Sequence, residues 1–213
     1  MSGLARGVVM MTMLLSLLGV LSPSSGAVTW DNAGDTAFTA TGGPAWLTGT
    51  DTSVIGSHFD LTCNSADVTA VTSAAPFTGV VWPAFHGTST YAGCHLTIVG
   101  TVRFECGWTF TALTQSGAVT SGTVASTCDL ATNAGQVICH LAGTGQATYT
   151  NPTVMTYGTV TLAASTLTAT NTTTMCVMGN NAPVDSREQT LQLTTASGGA
   201  LPPHRGPIIT RTP

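Results

Sequence analysis

The chain has 213 residues and a formal net charge of −4, and only 7% of its residues are charged whereas 43% are hydrophobic. Such a hydrophobic fraction can form a packed core, which excludes an intrinsically disordered chain. With five basic residues and no basic run, nucleic-acid binding by phosphate neutralisation is excluded as a main function, and so is attraction to anionic membrane surfaces.

The first 27 residues are predicted to be a signal peptide. Arg6 precedes the apolar run Val8–Val20, and the small residues Ser25, Gly26 and Ala27 follow it, an arrangement typical of a cleavable secretory signal. The run has 13 residues, too few to cross about 30 Å of hydrocarbon as a helix. We therefore expect an N-terminal signal helix that is removed, a secreted mature chain, and no membrane insertion after cleavage.

The mature part is predicted to be one domain between two less regular segments. Residues 28–52 are rich in Gly, Ala and Thr and are expected to form a lead-in or a single edge strand. Residues 53–196 are predicted to form a β-sandwich domain, long enough for one sizeable core. Residues 197–213 contain prolines and glycines that interrupt any strand, so they are predicted to be a disordered tail.

Alternating hydrophobicity in the middle of the chain predicts β-strands. Residues 57–63 place Phe59, Leu61 and Cys63 on one face. No segment has a sustained helical period, and glycines separate the short alternating segments. This pattern indicates an all-β fold, an antiparallel β-sandwich with a closed β-barrel as the alternative.

The longest alternating segment, residues 94–110, is expected to carry one inward face and one wet face. Arg103 and Glu105 fall on the wet face, where a weak surface ion pair is expected. The inward residues are Cys94, Leu96, Ile98, Phe104, Cys106, Trp108 and Phe110. Further strands are predicted around 119–125, 137–141, 146–150, 160–170 and 191–193.

The six cysteines of the mature part are predicted to form three disulfides, since an even number in an exported chain indicates a disulfide framework. Four of them, Cys63, Cys94, Cys106 and Cys139, share the inward register. One possible connectivity follows from a hairpin centred on Asn133-Ala134, which would pair Cys128 with Cys139 and leave Cys106 for Cys176. No C-x-x-C pair occurs, so no metal or redox role is expected.

Sequence signatures of catalysis are lacking: the chain has no nucleophile elbow, no P-loop and no dinucleotide-binding fingerprint. His58 and Asp60 share one face of a predicted strand and could join His86 and His95 in a metal site. The favoured interpretation is that His58 and Asp60 are simply two polar residues on a solvent-exposed face. We therefore expect no catalytic residues, no metal and no cofactor.

Trp82 and Phe85 are the candidate ligand-binding residues. They lie in a segment that contains Pro83 and lacks clean alternation, as an exposed loop would. An exposed Trp and Phe in a loop could stack on a sugar or anchor a protein, so the expected partner is a cell-surface glycan or a protein. In the alternative interpretation the loop folds down and covers one end of the sandwich.

The order of the cysteines and the residues around them resembles a loose group of small secreted proteins from high-GC actinobacteria. The features that carry the resemblance are Leu61-Thr62-Cys63, Gly93-Cys94, Trp108, Cys128, the run Gly145–Asn151 and Cys176. The resemblance implies a β-sandwich with bridges Cys63–Cys94 and Cys128–Cys176, to which Cys106–Cys139 would be an additional pair. It implies no activity.

Together these features predict a secreted, non-enzymatic domain of the extracellular space or the cell envelope, with a structural or binding function. A stable disulfide-bonded β-domain without clustered titratable groups suits such work. The alternative is a small secreted hydrolase or inhibitor whose site is assembled from loops. A cleft that contains paired carboxylates or a His–carboxylate pair would favour catalysis.

Overall fold

A computed structural model describes residues 27–51, 57–197 and 205–213. The described residues form fifteen β-strands and no helix, which confirms the all-β prediction. The predicted signal peptide lies, except for Ala27, outside the described residues. The strands are β1 (Thr29–Asn32), β2 (Ala37–Gly42), β3 (Ala45–Asp51), β4 (Ser57–Cys63), β5 (Ser65–Thr72), β6 (Phe77–Thr78), β7 (Trp82–Leu96), β8 (Gly100–Ser116), β9 (Val119–Thr132), β10 (Val137–Thr150), β11 (Thr159–Leu162), β12 (Ser165–Asn171), β13 (Pro183–Ser186), β14 (Gln189–Ser197) and β15 (Ile209–Thr212).

Twelve of the strands form one antiparallel sheet whose pairings close on themselves. The long strands β7, β8, β9 and β10 pair in sequence. β10 then pairs with β11 and β12, these pair with β14 and β13, and those pair with β2 and β3. β2 and β3 pair with β5 and β4, which return to β7. The result is a closed set of ladders, called the ring below.

Four of the eight segments of the ring are interrupted. Gly43-Pro44 separates β2 from β3, Asn64 separates β4 from β5, Ala163-Ala164 separates β11 from β12, and Arg187-Glu188 separates β13 from β14. The β2–β5 ladder continues in phase into β3–β4, and β11–β14 continues in phase into β12–β13. Against β10 the register shifts by one residue between β11 and β12. The breaks occupy neighbouring positions in the ladders, so they form a waist around one side of the ring.

Across each interruption, the inward-facing positions change between even and odd residue numbers. Phe38 and Ala40 are buried before the first break, at even positions, whereas Leu47 is buried after it, at an odd position. β8 has no such exchange, since its buried residues run at every second position from Val102 to Ala112. The ring therefore has one regular wall, and opposite it a wall that bends at the waist.

The waist divides the interior into two cores. One core contains all six cysteines together with Phe59, Leu61, Phe104 and Leu130, and we call this part the cystine half. The other contains most of the large aromatic side chains, and we call it the aromatic half; its aromatic members are Trp30, Phe38, Trp82, Phe85, Trp108, Phe110 and Tyr149. A small sheet in the order β15–β1–β6 adds Trp30 and Ile209 to the aromatic half.

The three disulfides are Cys63–Cys94, Cys106–Cys128 and Cys139–Cys176. The expected bridge Cys63–Cys94 is confirmed, but Cys128–Cys176 and Cys106–Cys139 are wrong. The reason is register: Cys106 and Cys128 lie directly opposite each other on β8 and β9.

The alternative pairing of Cys128 with Cys139 is also wrong, although the hairpin itself is confirmed. Thr132 N donates to Gln136 O at 2.9 Å across the turn between β9 and β10. In this hairpin Cys128 faces Leu141, and Cys139 faces Leu130. The turn is centred on Ala134 instead of between Asn133 and Ala134, and the ladder shifts by one further residue between Val137 and Cys139. The two cysteines are therefore offset by one inward position and cannot meet.

The two terminal segments are more ordered than predicted. Residues 28–52 were expected to be a lead-in or an edge strand, but β2 lies between β14 and β5, and β3 lies between β13 and β4. Residues 197–213 were expected to be a disordered tail, yet β15 pairs with β1 and buries Ile209 completely. For the described residues of these segments both predictions are wrong, because Gly, Thr and Pro composition does not show the pairing that the ring supplies to β2 and β3 and that β1 supplies to β15.

Several finer strand predictions are confirmed. β4 matches the predicted strand, and Arg103 and Glu105 form an exposed ion pair at 3.0 Å. Ile98 is an exception, since it was expected to face inward and is 53% exposed. The segment from Cys94 to Phe110 is two strands joined by a turn, and Ile98 lies in that turn.

Candidate ligand-binding site

A cavity of about 90 Å³ lies inside the ring at the waist, between the two cores. Its lining includes the middle of the long strands, among them Tyr91 and Trp108, and residues at three of the four breaks: Ala45, Ala163 and Arg187. The cavity therefore results from the interruptions in the strands. Where the inward-facing positions change, the side chains of neither core fill the interior.

Two glycines of β10 help to keep this level open. Gly143 and Gly145 occupy inward positions of β10 and line the cavity. A Cβ atom on Gly143 would lie 2.8 Å from Leu167 Cδ2, and one on Gly145 would lie 2.8 Å from Ser165 Cβ. β12 thus packs directly against bare backbone, so these two inward positions of β10 contribute no side chain to the space between the cores.

The inner walls of the cavity are mainly apolar. Tyr91 and Phe104 pack with their ring centroids 4.9 Å apart, and the Cys106–Cys128 disulfide lies beside them in the lining. The remaining apolar lining comes from Leu47, Val124, Val160, Leu162, Leu167 and Leu191. Ligand sites in proteins are typically concave surfaces of this kind with a few polar groups in fixed positions.

Trp108 contributes to the wall of the cavity, but its indole N–H is buried within the packing. Trp108 lines the cavity and is 9% exposed, and its Nε1 has no hydrogen-bond acceptor within the described part of the chain. Trp82 Nε1, in the aromatic half, is buried without a partner in the same way, whereas Trp30 Nε1 donates to Gly79 O at 3.1 Å. An indole N–H can only donate, and leaving a buried donor unsatisfied costs about 1–3 kcal/mol.

A chain of hydrogen bonds runs from Tyr91, in the wall of the cavity, to the interrupted strands of the waist. Tyr91 Oη donates to Gln189 Oε1 at 3.5 Å, and Gln189 Nε2 donates to Gly43 O at 3.1 Å. Burial raises the pKa of the Tyr91 phenol above its ordinary value of 10.0, so the group stays neutral and keeps its proton to donate. The chain of bonds connects long strand β7 to two of the breaks.

Trp46 and Arg187 lie at the solvent side of the cavity. The guanidinium carbon of Arg187 is 5.6 Å from the centroid of the Trp46 ring, and Arg187 N donates to Trp46 O at 3.3 Å. Both residues line the cavity and both are exposed. Within the described residues the ion pairs are Arg103–Glu105 and His140–Asp129, so Arg187 brings a positive charge without a carboxylate partner.

The sequence-predicted ligand residues Trp82 and Phe85 are both completely buried. Trp82 packs against Trp30 with ring centroids 6.2 Å apart, and Phe85 packs against Phe110 at 5.5 Å. The prediction of an exposed loop pair is therefore wrong. The segment lacks alternation because β7 shifts register between Pro83 and Phe85, which puts neighbouring residues into the same core.

The candidate metal ligands do not come together. His58, Asp60, His86 and His95 are all exposed on outer faces of the ring. Within residues 27–51, 57–197 and 205–213, no group of three or more His, Cys, Asp or Glu side chains is placed to hold a metal ion.

A His–carboxylate pair does occur, on the outer face of the ring. His140 Nδ1 and Asp129 Oδ1 are in hydrogen-bond contact across β10 and β9, and Thr170 lies opposite His140 on β12. The two side chains are 51% and 54% exposed. Catalytic triads depend on a histidine held by a buried carboxylate beside preorganised oxyanion donors, and this pair is on an open sheet surface.

Comparisons with known proteins give no relative: no family model matches the chain, and neither does any curated protein or solved structure. The resemblance to small secreted actinobacterial proteins therefore stays a prediction. Among the described residues no helix is long and apolar enough to cross a membrane.

Sequence reasoning missed Trp46 and Arg187 and assigned Trp108 to the core alone. A signal for the first two was present, since each lies within three residues of a break in the hydrophobic phase. Phe38 and Ala40 are out of phase with Leu47 across Gly43-Pro44. When the hydrophobic alternation changes phase at neighbouring positions of paired strands, the interior is not filled there. Recognising such a place requires knowing which strands pair.

Proposed function

We propose that this protein is a secreted, non-enzymatic binding domain that holds a small ligand in the waist cavity. The observation that carries the proposal is the cavity itself, a largely apolar space inside the ring with Trp46 and Arg187 at its solvent side, where Arg187 forms no ion pair with a carboxylate of the described residues. Three disulfides suit an oxidising, extracellular environment.

Binding is favoured over the hydrolase alternative by the kind of groups in the cavity. Its polar lining consists of serine hydroxyls, two glutamine amides, one arginine, the phenol of Tyr91 and the indoles of Trp46 and Trp108. No histidine or carboxylate is among the described residues that line it, so these residues supply no general base of the usual kind. Hydrogen-bonding groups and one positive charge can hold a ligand without changing it chemically.

The test is a thermal-shift screen of small compounds on three proteins: the mature chain, Ser126→Leu and Ser121→Leu. Ser126 lines the cavity, whereas Ser121 is exposed on the same strand, β9. A leucine at 126 occupies the cavity, and one at 121 is the matched control. We expect compounds that raise the Tm of the mature chain and of Ser121→Leu but not of Ser126→Leu. A compound that raises all three equally would place binding elsewhere.

A further inference from the structure

We infer that the waist cavity binds a small aliphatic monoanion in one orientation, with a hydrocarbon tail inside the cavity and the charged head outside it, at Arg187. The inference rests on the proposed function and adds the chemistry and the orientation of the ligand. Three features lead to it: the positive charge at the solvent side, the aliphatic inner lining, and the hydrogen bonds that polar groups of the wall already make within the protein.

Arg187 supplies the positive charge. Its guanidinium carbon is 5.6 Å from the centroid of the exposed Trp46 ring, so the stacked ring orients the guanidinium beside the cavity that both residues line. Arg187 forms no ion pair with a carboxylate of the described residues. An oriented guanidinium binds a carboxylate through two parallel hydrogen bonds. One cation in a chain with a formal net charge of −4 favours a ligand that carries a single negative charge.

The inner lining accommodates a hydrocarbon tail. Aliphatic side chains from both sides of the breaks contribute to it: Leu47, Val160, Leu162, Leu167 and Leu191. A methylene group that leaves water for such a surface increases affinity by about fourfold. The tail therefore supplies most of the affinity, and the charge at Arg187 decides which end of the ligand stays outside.

Several polar groups of the wall already have partners within the protein. Tyr91 Oη donates to Gln189 Oε1, and Gln189 Nε2 donates to Gly43 O. The hydroxyls of Ser165 and Ser186, which also line the cavity, are bonded to each other at 3.0 Å. An oxygen or nitrogen atom within the tail would lose its hydration without gaining an equivalent bond from these groups. We therefore expect the tail to carry no polar atom.

The volume of the cavity sets the length of the tail. The cavity measures about 90 Å³, equivalent to about three water molecules at roughly 30 Å³ each. A methylene group is similar in size to water, so the tail has about three carbon atoms, as in butanoate. The leucine side chain of Ser126→Leu is of comparable size, and it should occupy the space that the tail needs.

A series of carboxylates tests the tail on the mature protein without any substitution. NMR titration with acetate, propanoate, butanoate, pentanoate and hexanoate gives the affinity of each. The affinity should rise about threefold to fourfold with each carbon up to butanoate, because each added methylene is buried, and should then level off. Equal affinity across the series would show that the tail does not enter the cavity, and a rise that continues to hexanoate would contradict the length limit.

Butanamide tests the head, since it has the size of butanoate and no charge. Butanoate should bind about threefold to tenfold more tightly at low ionic strength, and the difference should shrink as salt is added, because Arg187 is exposed to solvent. In Arg187→Gln the difference should disappear, and Arg187→Lys should keep part of it. Arg103→Gln is the matched control, because Arg103 is paired with Glu105 on the outer face. A difference that persists in Arg187→Gln would overturn Arg187 as the partner of the head.

The orientation is tested by combining the two ends of the ligand with the filling variant. Ser126→Leu should bind butanoate no better than acetate, while its affinity for acetate, which needs little of the cavity, stays close to that of the mature protein. Ser121→Leu, changed at an exposed position of the same strand, should keep the full preference for butanoate. An unchanged preference for butanoate in Ser126→Leu would place the tail elsewhere.

Failure of this inference is distinguishable from failure of the proposed function. If none of the carboxylates binds, but other compounds raise the Tm of the mature chain and not of Ser126→Leu, the ligand class is wrong and the binding function stands. If no compound in either experiment shows a dependence on position 126, both are overturned.

Discussion

Individual residues of this protein show how a chain with few charges uses buried hydrogen bonds. Tyr149 is completely buried, and its hydroxyl donates to Pro207 O at 2.6 Å. Asp35, also buried, accepts from Gly206 N at 3.0 Å. Both side chains bind the backbone of the C-terminal segment, so polar groups here fix the path of the chain where a salt bridge would be costly to desolvate.

Replacing Tyr149 by Phe should lower the free energy of unfolding by about 1–3 kcal/mol, because the buried carbonyl of Pro207 loses its donor. Urea unfolding of the two proteins at neutral pH measures the difference. An unchanged midpoint would show that the hydroxyl does not make this bond in solution.

The pH dependence gives a second readout on the same residue. Burial, and then the negative charge of Asp35, raises the pKa of Tyr149 well above its ordinary value of 10.0. Below about pH 10 the phenol is protonated in both folded and unfolded chains, so stability is unaffected. Above it the unfolded chain releases the proton and the folded chain does not, so the free energy of unfolding should fall with rising pH. This fall should be smaller in Tyr149→Phe, and equal slopes would contradict the assignment.

At the scale of the elements, β15 is the strand that is hardest to predict from the sequence. It is short, it follows a proline-rich stretch, and it is held by side chains from distant strands. Asn151 accepts from Ile209 N at 3.0 Å and donates to Ile209 O at 2.7 Å, mimicking a neighbouring strand. Ile209 is completely buried in the aromatic half, so this segment closes one end of the core.

Ile209→Ala should therefore destabilise the protein by about 2–5 kcal/mol, the usual cost of truncating a buried isoleucine. Ile208→Ala is the matched control, since its neighbour Ile208 is 37% exposed and should cost much less. Thermal unfolding of the two variants gives the comparison. Equal, small losses would mean that the C-terminal segment is undocked, as the sequence alone suggested.

The strands that could be predicted from the sequence are those with regular alternation. β4 and β8 keep one face inward throughout, so Phe59, Phe104 and Phe110 were placed correctly. β7 was missed at Trp82 and Phe85 because a register shift puts neighbours into one core. Alternation fails wherever a strand bends or shifts, and the waist cavity lies where the bends coincide, so the same physical cause hid the site.

For the whole molecule, the disulfides concentrate in one half. All six cysteines belong to the cystine half, with sequence separations of 31, 22 and 37 residues. The chain-entropy model assigns loops of this size about 3–4 kcal/mol each, against a total stability of about 5–15 kcal/mol for a typical domain. The cystine half therefore depends on oxidation far more than the aromatic half does.

Non-reducing peptide mapping of the mature protein should recover Cys63–Cys94, Cys106–Cys128 and Cys139–Cys176, and alkylation should find no free thiol. Cys106–Cys128 is the informative bridge, because it reports the register of β8 against β9. A peptide that links Cys106 to Cys139, or Cys128 to Cys176, would show that the ladders of the ring are offset from those described.

The central claim is that a ligand occupies the waist cavity against Trp108, and the four tryptophans of the chain allow a direct measurement. In a ¹H–¹⁵N spectrum of the ¹⁵N-tryptophan-labelled protein, titration with a compound that stabilises the mature chain but not Ser126→Leu should move the indole signals of Trp108 and Trp46, which line the cavity. Those of Trp30 and Trp82, packed together in the aromatic half, should stay in place. Unmoved signals from Trp108 at saturation by any compound that stabilises the protein, or shifts confined to Trp30 and Trp82, would contradict the account.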